Sequence, residues 1–272
     1  MDRTLRFRPG LPGHVPDAWI VGPESDAPPV VAVHGITRGA EAMATLLAPR
    51  AEATGRRVIV PHFDRTSWPR YQRAACRDRA DLALLRLANA VRAEGSAAPG
   101  RFDLAGFSGG AQFAHRFAWL HPQAVGGLCA TAPGWWTFPD AETAWPRGIG
   151  MARMRHAAIT LRLQANLRAF LDRDIAVCVG SDDVARDRNL RQGAAIDAQQ
   201  GGTRATRARR WAAAVRAQAH ALGITPRVTL RVLQGCGHDF AACVADAALD
   251  RDFVAAAPTV ASTQCHRERI AA

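Results

Sequence analysis

The sequence predicts a doubly wound α/β fold with a mostly parallel sheet, in one domain spanning residues 1–272. Three observations carry that reading. Short runs such as Val30-Val31-Ala32-Val33 and Ile175-Ala176-Val177-Cys178-Val179 are apolar throughout rather than alternating, as expected of strands covered on both faces. Such runs alternate with helix-like stretches from about residue 28 to 256, the rhythm of βα units. A chain of 272 residues with 48% hydrophobic content suits one large core.

In chain order, strands are predicted at 30–33, 58–60, 102–107, 125–131, 175–179 and 228–233, with helices at 40–53, 74–94, 111–120, 205–221 and 240–256. Two N-terminal pieces, 4–8 and 18–21, are separated by Pro9-Gly10-Leu11-Pro12-Gly13 and read as an antiparallel edge. Residues 133–171 break the rhythm. They contain Pro133-Gly134-Trp135-Trp136-Thr137-Phe138-Pro139 and Trp145-Pro146-Arg147-Gly148. A long excursion between consecutive α/β units is usually functional, so the segment is read as a lid or short cap, with Trp135, Trp136 and Trp145 lining the substrate pocket.

Composition narrows the function classes. The net charge of +11 comes from 35 basic residues, all of them arginine. They are scattered rather than gathered with aromatics on one face, so nucleic acid is not the expected partner. Arg204, Arg207, Arg209 and Arg210 read as a solvated helix face, with attraction of an anionic substrate as the alternative. No apolar run approaches a membrane span, and Met1-Asp2-Arg3-Thr4-Leu5-Arg6-Phe7-Arg8 has no apolar leader core, so no membrane partner and a cytoplasmic location are expected. Cys76, Cys129, Cys178, Cys236, Cys243 and Cys265 include no C-x-x-C spacing. Neither a disulfide framework nor a zinc site at Cys236, His238 and Cys243 is expected.

The chemistry centres on Gly106-Phe107-Ser108-Gly109-Gly110, between a strand-like and a helix-like run. A serine on such a sharp turn is held in a strained conformation with its hydroxyl raised clear of the sheet. Gly106 and Gly110 leave room for the two chain segments to approach. A serine hydroxyl needs a base to take its proton and a third group to orient that base. His238, in Gly235-Cys236-Gly237-His238 after the last strand, is the candidate base; Asp239 beside it reads as a helix N-cap. Asp183, in Gly180-Ser181-Asp182-Asp183, is the preferred acid, with its neighbour Asp182 as the alternative. His34 and Gly35 close the strand at 30–33, which predicts oxyanion-hole N–H donors at Ile36 and Gly109 and a supporting, non-proton-transferring His34. Dinucleotide binding is excluded by the glycine order, and a P-loop by the absence of lysine.

Val33-His34-Gly35-Ile36, Leu104–Gly110, Gly180–Asp183 and Gly237-His238-Asp239 together resemble the α/β-hydrolase family, in its serine esterase and polyester-depolymerase-like branch. The resemblance extends over most of residues 28–256. It implies the α/β-hydrolase fold and cofactor-free cleavage, through an acyl-enzyme, of an ester or thioester of a small to medium apolar acyl group. The expected partner is thus a small-molecule ester, and homo-oligomerisation is left open. Peptidase or acyltransferase activity on the same residues is the enzymatic alternative; a catalytically silent binding module is the other.

Overall fold

The computed structural model describes residues 5–94, 100–151 and 156–255. Residue 4 of the first predicted strand, residue 256 of the last predicted helix and Cys265 lie outside them. Eight strands form one sheet: β1 (Arg6–Arg8), β2 (Asp17–Val21), β3 (Val30–Val33), β4 (Val58–His62), β5 (Phe102–Phe107), β6 (Val125–Thr131), β7 (Ile175–Gly180) and β8 (Val228–Leu233). Their spatial order is β1-β2-β4-β3-β5-β6-β7-β8. The expected antiparallel edge is present: β1 pairs with β2 and β2 with β4 antiparallel, and every later pair is parallel. All four residues of β3 are buried, as are the last four of both β5 and β7, which is why these strands carry no polar alternation.

Helices α1 (Ala40–Thr54), α2 (Ala80–Ala93), α3 (Gly109–Leu120), α4 (Ala157–Ala165), α5 (Leu167–Leu171), α6 (Ala194–Gln200), α7 (Arg204–Ala221), α8 (Phe240–Ala247) and α9 (Leu249–Val254) connect and cover the strands. Every residue of α3 is buried, so the helix following the predicted elbow is the centre of the fold. Two expectations change. The helix predicted from residue 74 begins at Ala80, after a 3₁₀ turn at Tyr71–Arg73 and a loop. The helix predicted over 240–256 breaks at Ala248, whose φ of +50° turns the chain into α9. Among the described residues, no helix is long and apolar enough to cross a membrane.

The segment 133–171, of which residues 152–155 lie outside the description, connects β6 to β7 and packs on α3 and α7. Trp136 is fully buried and stacks on Trp211 of α7 at 4.1 Å and 17°. The Trp211 indole N–H donates to Thr137 O at 2.8 Å. Beneath them His115 accepts from Thr137 N–H at Nε2 (3.0 Å) and donates from Nδ1 to Ala111 O (2.8 Å). Trp135 lies under the buried Arg116 guanidinium, 4.2 Å from ring centre to Cζ, and Arg116 Nε donates to Thr137 Oγ1. These side chains fasten an irregular crossover to the core. Trp136→Ala is therefore expected to destabilise the protein by about 3–5 kcal/mol, the usual cost of emptying a large aromatic site, read as a lower urea midpoint at constant m-value.

His34, at the end of β3, is likewise buried and neutral. Its Nε2 accepts from Phe63 N–H (3.1 Å), which puts the proton on Nδ1, donated to Gly35 O (2.8 Å). Burial pulls His34 down to about 4, and burial also pulls His115 well below the ordinary histidine value. The unfolded chain then binds protons that the folded chain refuses, so stability falls as pH drops from about 6.5 towards 4. His34 alone accounts for roughly 3 kcal/mol over that window. Asp81 and Asp187, held down to about 2 by hydrogen bonds from His121 and Arg79 and from Arg204 respectively, lose their contribution mainly below the ordinary carboxylate range. Asp252, which burial pushes up, acts with the opposite sign, so the histidine share is isolated by substitution. Urea titrations at pH 6.5 and 4.5 are expected to show the decline, and His34→Gln to flatten it.

Candidate active site

Ser108 sits between β5 and α3 with φ +54° and ψ −113°, a backbone conformation that costs a residue with a side chain of order 1–3 kcal/mol. The neighbouring geometry enforces it. A Cβ on Gly106 would collide with the Gly110 carbonyl, and one on Gly110 with Val33 O of the adjacent strand. Glycines are required here because backbone meets backbone. Ser108 N–H donates to Thr131 O at 2.9 Å, and Gln112 N–H returns a 3.1 Å bond to Ser108 O. The hydroxyl is thereby presented at the C-terminal ends of the parallel strands.

Two later strands deliver its partners. The loop after β8 places His238 Nε2 at 2.9 Å from Ser108 Oγ, and the loop after β7 places Asp183 Oδ2 at 2.7 Å from His238 Nδ1. A buried carboxylate can only accept, so Nδ1 carries the proton and Nε2 is left to accept from the serine hydroxyl. Phe107 stacks on the imidazole at 5.0 Å, and Phe240 packs edge-on against Phe107 at 5.5 Å. The choice between the two aspartates is geometric. Asp183 is 2% exposed and faces the histidine, whereas the exposed Asp182 turns away and accepts from Ser181 Oγ at 2.8 Å. Asp239 caps α8 by accepting from Ala242 N–H at 2.9 Å.

On the other side of Ser108, Tyr71 Oη donates to His34 O at 2.8 Å, so the β3–α1 turn is pinned through both the side chain and the carbonyl of His34. A Cβ on Gly109 would lie 3.2 Å from Ile36 N, 2.8 Å from Tyr71 Oη and 2.6 Å from Ile36 Cγ2. The Ile36 and Gly109 backbones thus approach each other next to Ser108. Gly109 opens α3, where a backbone N–H has no intrahelical acceptor.

A cleft of about 360 Å³ is lined by Ser108 and His238 together with Ile36, Met43, Leu46, Phe107, Phe240 and Asn189. Apolar side chains make up most of its lining, beside polar groups of Thr37, Ser108, Asn189, His238 and Asp239. The tryptophans are not in it. Trp135, Trp136 and Trp145 are at most 6% exposed, and the cleft is lined by other residues, so their expected role as its walls is corrected: their faces meet Arg116, His115 and Trp211.

The sequence reading also misjudged two arginines. Arg204 and Arg207 are neither solvated nor open to substrate; both are buried. Arg207 donates to the carbonyls of Gly134, Gly201 and Arg191 and to Asp197. Arg204 donates to the far oxygen of Asp183. Arg209 and Arg210 are exposed as expected. The available signal was position: residues 204 and 207 share the face of α7 that carries Ala208 and Trp211, a spacing that points inward. Among the described residues, no group of three histidine, cysteine or acidic side chains could hold a metal ion; both His238 nitrogens are taken up by Ser108 and Asp183.

No protein-family model and no curated protein matches the chain. Solved structures do. A poly(aspartic acid) hydrolase-1 from Sphingomonas sp. KT-1 superposes with a TM-score of 0.74 at 22% identity, covering 88% of this chain and 94% of its own. The LpqC poly(3-hydroxybutyrate) depolymerase of Bordetella parapertussis gives 0.69 at 25% identity, covering 93% and 90%. An S-formylglutathione hydrolase from Agrobacterium tumefaciens gives 0.55 at 16% identity, covering 88% and 89%. The strand order, the strained serine between β5 and α3, and this likeness over nearly the whole chain show that the protein has the α/β-hydrolase fold.

Proposed function

We propose that the protein is a serine hydrolase that cleaves an ester or thioester of a small to medium apolar acyl group through an acyl-enzyme. The observation that carries this is the unbroken chain Ser108 Oγ–His238–Asp183, at 2.9 and 2.7 Å, starting from a strained serine. Ser108 Oγ attacks the carbonyl carbon while His238 Nε2 takes its proton. The carbonyl electron pair moves onto oxygen, where the Ile36 and Gly109 N–H groups receive it. Collapse expels the alcohol or thiol, which takes the proton back from His238. A water molecule, deprotonated by the same nitrogen, then attacks the acyl-enzyme; the bond to Ser108 Oγ breaks as His238 returns the proton to that oxygen, and the acid is released. Asp183 holds the imidazole tautomer and offsets the imidazolium charge. The cleft between Met43, Leu46 and Phe240 supports the apolar acyl preference. The depolymerase and the glutathione thioester hydrolase among the structural neighbours fit the same chemistry.

Labelling by a fluorophosphonate and turnover of a p-nitrophenyl ester panel test the reading. Ser108→Ala is expected to abolish labelling and to lower kcat by roughly 10⁴- to 10⁶-fold with an unchanged circular-dichroism spectrum. Asp183→Asn should lose about 10⁴-fold, because the acid fixes the tautomer, while Asp182→Asn stays near wild type. The assignment of the acid fails if the two aspartate variants change places.

The half-buried Leu46 faces the cleft from α1. Leu46→Trp is expected to disfavour longer acyl chains against acetyl by about tenfold in kcat/KM, the discrimination that an apolar pocket can supply. Equal losses on every ester would mean that the acyl chain lies elsewhere.

A further inference from the structure

Asp183 has two carboxylate oxygens, and the mechanism uses only one. Oδ2 meets His238; Oδ1 meets Arg204 Nη1 at 3.2 Å. Arg204 stands in the first turn of α7 with a side chain that is wholly buried. Its guanidinium does not serve Asp183 alone. Nη1 also donates to Asp187 Oδ2 (2.9 Å) and Nη2 to Asp187 Oδ1 (3.1 Å). The fork is therefore committed two-pronged to Asp187 and reaches Asp183 with one shared corner. Asp187 is itself anchored by the N–H groups of Asn189 (2.6 Å) and Leu190 (3.0 Å).

We propose that Arg204 is the positioning residue of this site and that Asp187 tempers its charge, so that the pair sets how strongly Asp183 holds the protonated His238. The inference rests on the serine-hydrolase reading. Its physical basis is charge bookkeeping in a dry place. With Asp183 and Asp187 ionised and Arg204 cationic, the resting cluster carries one net negative charge. It becomes neutral when His238 takes the serine proton, so the cluster favours the imidazolium that forms in the transition state. A buried Asp183 with no partner at Oδ1 would be expensive to keep ionised. An arginine not shared with Asp187 would hold Asp183 so firmly that little of its field remained for His238.

The other polar groups near the pair do not carry the same role. Burial pushes the Cys243 thiol up to about 12, so it stays neutral, and its Sγ–H turns to Gly237 O. Cys236 is a buried thiol. Asp239 is engaged as the α8 cap, and the Arg191 guanidinium lies over Trp135 at 5.5 Å. Ser108 meets the imidazole from the opposite side.

The test uses the full chain and compares pH profiles of kcat/KM on p-nitrophenyl acetate for wild type, Asp187→Asn, Arg204→Met and Arg204→Lys. Removing the Asp187 charge is expected to move the acid limb to lower pH by about one unit, because the imidazolium loses a counter-charge. Arg204→Met is expected to move it to higher pH by a similar amount and to lower kcat by roughly ten- to a hundredfold through misplacement of Asp183. Arg204→Lys, which keeps the charge but not the fork, should restore the limb while recovering only part of kcat. A merely structural arginine would move neither limb. Acid limbs that coincide with wild type, or that shift the same way in Asp187→Asn and Arg204→Met, would overturn the proposal. If Arg204→Met does not fold, the Asp187→Asn and Arg204→Lys pair decides it. NMR titration of the His238 ring in the same variants reads the coupling without turnover. Opposite shifts there in a protein that no fluorophosphonate labels would retain this inference and reject the hydrolase reading instead.

Discussion

Everything at this site depends on one backbone constraint, the sharp reversal at Ser108. A positive φ at a residue with a side chain persists only where its surroundings leave no alternative. Here the surroundings are a central strand paired on both sides and a helix with no exposed residue. The glycines at 106 and 110 let α3 start against the end of β3, close enough that any Cβ would strike a main-chain carbonyl. Through that contact Ser108 and the β3–α1 turn are held against each other. His34 and Tyr71 then fix the far side of the turn, and Gly109 and Ile36 face each other across it.

The pieces of this arrangement differed in how far they could be read in advance. The elbow was legible because its requirements are local: glycines two residues either side of a serine, after an apolar strand and before a helix. His238 and Asp183 were legible because parallel strands present their loops at one edge, so position after β7 and β8 stood in for distance. Asp182 remained the alternative in the sequence, since alternation around a tight loop depends on how the strand ends. The tryptophans misled because aromatic and proline content is the same for a lid as for a crossover fastened to a core. The difference lies in partners, His115, Arg116 and Trp211, that are remote from the tryptophans along the chain. The break at Ala248 was hidden for a similar reason: alanine promotes helix, and only tertiary contact forces it to a left-handed φ.

Arginine was the least legible residue of all. With 35 basic residues and a net charge of +11, the chain suggests a charged exterior. Yet Arg56, Arg116, Arg173, Arg204 and Arg207 are buried, and all but Arg204, which meets only carboxylates, donate largely to main-chain carbonyls. Arg173 gathers the carbonyls of Pro122, Val125 and Gly126, and Arg56 joins Pro28, Val254 and Ala255 to Asp103. A planar fork with five N–H groups can tie several chain segments at once. In a protein without lysine, these arginines act as internal fasteners, and composition counts them as surface.

The sheet order gives the site an uneven foundation. Ser108 hangs from β5, which has a strand on either side, but His238 follows β8, which pairs only with β7. Local opening free energy is lowest where hydrogen-bonded neighbours are fewest. A fluctuation that frees the last strand would carry the imidazole away while leaving the elbow, the strained serine and most of the core intact. The molecule can thus lose its chemistry in a partly opened form that is still largely folded, and recover it by re-docking a single edge.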